Sequence, residues 1–201
     1  MTATESATAV GVDLPRVAWR PLALVSAAVA VLLLIVSGRY GPHRDELYFV
    51  AAGQRLDWGY ADQPSFTPLV ARVVSDLFGD VLVGWRLPSS LAAGAVVLLT
   101  GLMARRMGGE RPAQLLAAGS MAVSAILLIV GHLMSTATFD LLFWALISFL
   151  VVRQLQGADP RGWLLVGLVI GIALHNKTLV AVLVAALLIG LLAVRDRKSV
   201  V

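Results

Sequence analysis

Apolar residues in this chain gather into long runs separated by short polar breaks. A bilayer core about 30 Å thick takes roughly 20 apolar residues in helical form. Six runs approach that length: Pro21 to Ser37, Val83 to Met103, Pro112 to Met134, Thr138 to Val152, Gly162 to His175 and Thr178 to Val194. The last two are broken only by Asn176-Lys177. Together they are too long for one crossing even when tilted, so the pattern predicts two spans with a polar turn. The expected fold is all-α, a polytopic transmembrane helix bundle of about six spans.

The segment between the first two runs, residues 38–82, breaks the pattern. Phe66, Leu69, Val70, Val73, Val74, Leu77 and Phe78 recur at helical spacing, with Arg72, Ser75 and Asp76 off the stripe. That spacing predicts an amphipathic helix. A shorter one is expected over Glu46 to Leu56. Between them, Asp57-Trp58-Gly59-Tyr60-Ala61-Asp62-Gln63-Pro64 reads as a turn with interfacial aromatics. Two helices of this kind fit a loop resting on the membrane surface.

Composition agrees with a membrane class. The chain is 59% hydrophobic and only 14% charged, with a mean hydropathy of +0.86; soluble domains sit near half apolar and a quarter charged. The formal net charge of +4 comes from bases at the ends of apolar runs, not from a basic patch interleaved with aromatics, so no nucleic-acid partner is expected. The absence of cysteine excludes disulfides, thiolate metal sites and cysteine nucleophiles. Residues 1–20 lack periodicity and read as a cytoplasmic tail, followed by the membrane domain over 21–201. The run Leu22 to Val36 has no small-residue cleavage site after it, so it reads as an uncleaved first span. Arg105, Arg106 and Arg111 cluster between the second and third runs, whereas 131–137 contains no Lys or Arg. The positive-inside rule then puts the N-terminus in the cytoplasm and the 38–82 loop outside, with Arg86 counted among the outer basic residues.

On that topology the candidate chemistry collects on one side. Asp45 and Glu46 adjoin the outer end of the first span, where one acid can deprotonate a hydroxyl and the other bind a metal or orient a substrate. The bland alternative is a solvated pair capping a helix. Asp140 lies near the outer end of the fourth run, and an acid beside hydrocarbon usually faces a polar cavity or a partner; it too has a bland reading as an interfacial cap. Lys177, the only lysine outside the C-terminal segment, suits an anionic headgroup such as a phosphate, or simply snorkels. His132 and His43 are weaker metal candidates, because a lone histidine is more often a hydrogen-bonded structural residue. Tyr60 and Trp58 read first as interfacial anchors, with Trp58 able to stack on a sugar. Gly131 and the Gly167/Gly171 pair read as helix-packing sites. No phosphate-cradling glycine loop precedes a helix, so the donor of any transfer reaction is expected to be lipid-borne.

The stretch His43-Arg44-Asp45-Glu46-Leu47-Tyr48-Phe49, followed by Leu56-Asp57-Trp58-Gly59-Tyr60-Ala61-Asp62-Gln63-Pro64-Ser65-Phe66-Thr67-Pro68-Leu69, resembles the first extracytoplasmic loop of bacterial type C integral-membrane glycosyltransferases. These are relatives of protein O-mannosyltransferases and of the aminoarabinose transferase of lipid A. Asp140 and Gly171-Ile172-Ala173-Leu174-His175-Asn176-Lys177 resemble later features of the same family. The resemblance implies many spans with juxtamembrane helices in the first loop, and sugar transfer from a polyprenyl-phosphate donor to a hydroxyl acceptor on a protein, lipid or cell-wall glycan. By position it implies that Asp45 is the base and that Glu46 helps to bind the acceptor or a divalent metal cation. Lys177 then holds the donor phosphate and Asp140 supports the site, and Tyr60 and Asp62 of the loop motif join them as candidate substrate-binding residues. The implied location is the bacterial plasma membrane. Members of that family are longer and carry more spans, so this chain is expected to correspond to the N-terminal portion of one. Two rival classes fit the same pattern: a lipid or solute transporter, which explains the intramembrane acid and lysine, and a non-catalytic membrane scaffold.

Overall fold

A computed structural model describes residues 14–198; the expected tail over 1–20 therefore lies largely outside the described residues. Among the described residues the secondary structure is helical, apart from one isolated bridge between Gly59 and Pro64. The order is α1 (Trp19–Ser37), α2 (Arg44–Gly53), α3 (Phe66–Phe78), α4 (Leu82–Arg106), α5 (Arg111–Ala122), α6 (Ala125–Gly131), α7 (Thr136–Leu155), α8 (Gly162–Leu174) and α9 (Val180–Lys198).

Three helices, α1, α4 and α7, are long and apolar enough to cross a membrane. The third run is instead a bent pair: α5 and α6 meet at 58° across Val123-Ser124 and together have the length and composition of one span. The break follows from Ser124, whose backbone turns extended at φ −65°, ψ 126° and ends the i to i+4 ladder. The fifth and sixth runs are shorter apolar helices, 162–174 and 180–193.

Helix α4 is the hub, packing on α1, α5 and α7. It approaches α1 closely because Gly94 has no side chain: a Cβ there would stand 2.9 Å from the Ser26 carbonyl oxygen. Small residues at such crossings let backbones meet where lipid offers no hydrophobic drive. Gly131 plays the same part at the end of α6, against Ala93 and Leu33, whereas Gly167 and Gly171 face open space and pack nothing. Two apolar clusters result. One joins Leu22, Val29, Leu33, Val96, Val97 and Leu127 of α1, α4 and α6. The other runs from Phe49 and Val74 through Phe139, Phe143 and Ile147 to Val166 and Val169.

The loop helices form as the pattern predicts. Helix α3 begins and ends at the expected residues; α2 starts two residues earlier than expected and stops three earlier. The stripe on α3 divides its work. Phe66, Val70 and Val74 turn into the bundle, and Leu69, Val73, Leu77 and Phe78 stay exposed alongside Leu56 and Trp58, an apolar surface suited to the headgroup boundary. Helices α2 and α3 touch backbone to backbone at Gly53, where an added Cβ would lie 2.9 Å from the Pro68 oxygen and 3.0 Å from the Arg72 nitrogen.

Candidate active site

The loop is anchored from below by Arg86, a fully buried residue one turn into α4. Its Nε donates to Glu46 Oε1 at 2.8 Å and its Nη2 to Glu46 Oε2 at 2.7 Å, a bidentate fork. Its remaining N–H groups reach the carbonyls of Ser37, Tyr40 and Gly41, and its guanidinium stacks 4.1 Å from the Tyr40 ring centre. One side chain thus fixes the whole connection from α1 to α2. Glu46 is also fully buried. Its Oε2 accepts from the His43 N–H at 2.8 Å, closing the start of α2 as a capping box, and its Oε1 accepts from the Met134 N–H at 3.2 Å. Burial pushes its pKa up, but the Arg86 fork and the two backbone donors outweigh that and hold it below the usual carboxylate value.

Four N–H donors occupy both Glu46 oxygens, so the expected roles in acceptor or metal binding find no free lone pair facing solvent. The geometry makes Glu46 a positioning residue. His132 is likewise engaged: its Nδ1 lies 2.7 Å from the Leu128 oxygen and its ring packs edge-on against Tyr40. Among the described residues no three histidine or acidic side chains converge as a metal site. Glu46 and His132, both named for a divalent cation, are thus engaged by other partners.

Asp45, the next residue along α2, points elsewhere because neighbours on a helix stand about 100° apart. It lines a cavity of about 550 Å³ with Arg44, Tyr48, Asp62, Gln63, Ser135 and Thr136. Half of its side chain is exposed, with Arg44 Nε at 3.2 Å. The Asp45 N–H donates to His43 Nδ1 at 3.2 Å. On the same wall the Tyr48 hydroxyl donates to Asp62 Oδ1 at 2.7 Å, and this bond raises the Tyr48 pKa. Tyr60 does not turn to the cavity: its hydroxyl donates to the Ala52 and Arg55 carbonyls at 2.9 and 3.0 Å, tying the loop to the end of α2.

Asp140 sits one turn into α7, buried, with its Oδ1 lacking a hydrogen-bond partner. Trp144 Nε1, one turn further on, is near enough to bear on Asp140 but falls short of full hydrogen-bonding geometry. Both line a cleft of about 290 Å³ that is otherwise apolar, with Ile126, Leu141 and Leu179. Val130 and Ala137 line both this cleft and the Asp45 cavity. A polar chamber on the loop side therefore adjoins an apolar cleft between α6, α7 and the α8–α9 turn.

That turn is secured to the loop. The Phe66 N–H donates to the His175 carbonyl at 2.8 Å, Thr67 Oγ1 donates to Asn176 Oδ1 at 2.9 Å, and Asn176 Nδ2 donates to the Thr136 carbonyl at 2.9 Å. Phe66 further packs edge-on against Phe139 and Phe143, with ring centres 5.4 and 5.3 Å apart. Lys177 follows this clamp, half-buried and with no carboxylate in ion-pair range among the described residues, yet near enough for its charge to act on Asp140. Asp45, Asp62, Asp140 and Lys177 thus share one end of the bundle. Arg86, Asn176 and Tyr48 were not anticipated. A base inside an apolar run, at position 86, is the sequence signal that marks the first of them.

A family model described as dolichyl-phosphate-mannose-protein mannosyltransferase matches residues 62–201. The chain belongs to that family. No curated protein and no solved structure matches it. The family identifies a multi-pass membrane glycosyltransferase that draws on a polyprenyl-phosphate sugar. The matched stretch of this mannosyltransferase-family chain contains Asp62, Asp140 and Lys177; Asp45, Glu46 and the capping histidine precede it.

Proposed function

We propose that the chamber at Asp45 is where a sugar passes from its polyprenyl-phosphate carrier to a hydroxyl acceptor. The observation that carries this reading is the junction at Val130 and Ala137 between a polar chamber and an apolar cleft. A polyprenyl-phosphate sugar has the same division: a polar head and an apolar chain. The chain lies in the cleft along Ile126, Leu141 and Leu179, and the phosphate sits at the junction near Lys177. The sugar enters the chamber beside Asp45, Tyr48 and Asp62.

In this arrangement Asp45 takes the proton from the acceptor hydroxyl. The acceptor oxygen attacks the anomeric carbon from the face opposite the phosphate. The bond from that carbon to the phosphate oxygen breaks, and its electron pair leaves with the polyprenyl phosphate, with inversion at carbon. The charge developing on that oxygen is met by the Lys177 ammonium in a low-dielectric setting. Asp140 stands beyond ion-pair range of Lys177 and acts on it through its charge alone. Glu46 positions Asp45 through α2. The N-terminus is cytoplasmic and the chamber faces outward, in keeping with the arginines gathered at the opposite end.

The test is transfer from a radiolabelled polyprenyl-phosphate sugar in membranes carrying the chain. Asp45→Asn is expected to lower the rate about 100-fold or more, and Lys177→Ala to act chiefly on donor KM. A transporter would move the carrier across the bilayer in Asp45→Asn as in the parent. Undiminished transfer in Asp45→Asn sinks the proposal.

A further inference from the structure

The end of the bundle opposite Asp45 carries a second built feature. The stretch entering α1 is pinned by Gln114, fully buried on α5: its Oε1 accepts from the Ala18 N–H at 3.0 Å, and its Nε2 donates to the Arg16 and Gly109 carbonyls at 3.1 and 3.0 Å. Arg105 Nε adds a bond to the Pro15 carbonyl at 2.7 Å. This clamp sets the first turn of α1 against the first turn of α5. Between them lies a cavity of about 410 Å³ lined by Trp19, Arg20, Pro21, Arg111 and Leu115.

Its two halves differ in character. Arg20 and Arg111 are exposed and form no ion pair among the described residues. The N–H groups of Trp19 and Arg20 meet no acceptor there either, since Ala18 at the N-cap has no side-chain oxygen to offer. Two cationic side chains and the uncapped first turn of α1 thus line one cavity. The other half is apolar: Trp19 and Leu115 line it, and exposed Leu24 stands one turn below Arg20 on the bilayer side.

We propose that this cavity binds the head of an anionic phospholipid, with its acyl chains descending along Leu24 and Leu115. A phosphodiester takes charged forks from two arginines and backbone N–H groups together. Basic pockets between transmembrane helices take anionic headgroups for this reason. The apolar half and the position at the helix ends favour a lipid over a free anion. The site is independent of the transfer chemistry and lies at the other membrane face.

The experiment is calorimetric titration of the purified full chain, in neutral detergent, with short-chain phosphatidylglycerol, short-chain phosphatidylcholine and inorganic phosphate. Phosphatidylglycerol is expected to bind saturably, and the other two at least tenfold more weakly. Arg20→Gln with Arg111→Gln is expected to weaken phosphatidylglycerol roughly 30-fold. Arg153→Gln with Arg161→Gln removes the same charge outside the cavity and is expected to leave binding unchanged. Leu115→Trp, which fills the apolar half and keeps both arginines, is expected to weaken phosphatidylglycerol as well. Equal binding of the two lipids, equal loss in both arginine pairs, or inorganic phosphate matching phosphatidylglycerol each overturns the proposal.

Discussion

Arg86 and Glu46, forty positions apart, meet as a two-pronged ion pair with no exposed surface on either side chain. Removing one partner from such a pair strands the other charge, which typically costs about 3–5 kcal/mol. Arg86→Met is therefore expected to lower the unfolding midpoint sharply in detergent. Arg86→Lys is expected to rescue little, because an ammonium cannot make the fork or reach three carbonyls at once. A midpoint in Arg86→Lys equal to the parent would refute the anchoring role.

The same pair sets an acid limit. The folded pKa of Glu46 lies below the ordinary value, so its stabilisation is present above the unfolded carboxyl pKa of about 4.3. It disappears as pH falls through the lower folded value. The melting temperature is expected to hold from pH 8 to about 5 and to fall below about 4. In Glu46→Gln this portion of the fall should be missing. An identical acid profile in that variant would assign the fall to other carboxylates.

Asn176 makes a different prediction. Its amide bonds Thr67 on one side and the Thr136 carbonyl on the other, and it is fully buried. Asn176→Ala leaves two buried groups unpaired, at about 1–3 kcal/mol each, and frees the turn that carries Lys177. Donor KM is expected to rise while the rate at saturating donor falls less. A loss confined to stability, with donor KM unchanged, would separate the clamp from the site.

The topology can be tested directly, since the chain has no cysteine of its own. Gly41→Cys has room for the new side chain and is expected to react with an impermeant maleimide from outside. Met107→Cys, exposed at the other end, is expected to react only after permeabilisation. The reverse pattern would place Asp45 in the cytoplasm and remove the chamber from the face where it is proposed to act.

Much of this architecture is legible along the chain. Helix α3 is found where its spacing puts it because seven apolar residues repeat the helical period without interruption. Basic residues at run ends are what suggests a common side for Asp45, Asp140 and Lys177. What escapes is pairing. Asp45 and Glu46 look equivalent in sequence, yet the turn of a helix sends one to the chamber and the other into the bundle. Which goes inward depends on Arg86, and no local pattern links positions 46 and 86. The break at Ser124 is hidden for a similar reason: no proline marks it, and a serine within an apolar run is compatible with an unbroken helix. Tyr60, an interfacial anchor by pattern and a substrate-binding candidate by resemblance, has its hydroxyl bonded to backbone carbonyls at the end of α2, a contact no local pattern marks.

The contact at Gly53 constrains how this site can move. With no side chain between them, α2 and α3 pack backbone to backbone, which couples Asp45 to the α3 end of the Asn176 clamp. The opposite wall, the short connection from α6 to α7, is tied to the same unit: the Met134 N–H bonds Glu46 and the Thr136 carbonyl accepts from Asn176. Val130 and Ala137 of that wall border the cleft as well, so a substitution there is expected to disturb both seats at once.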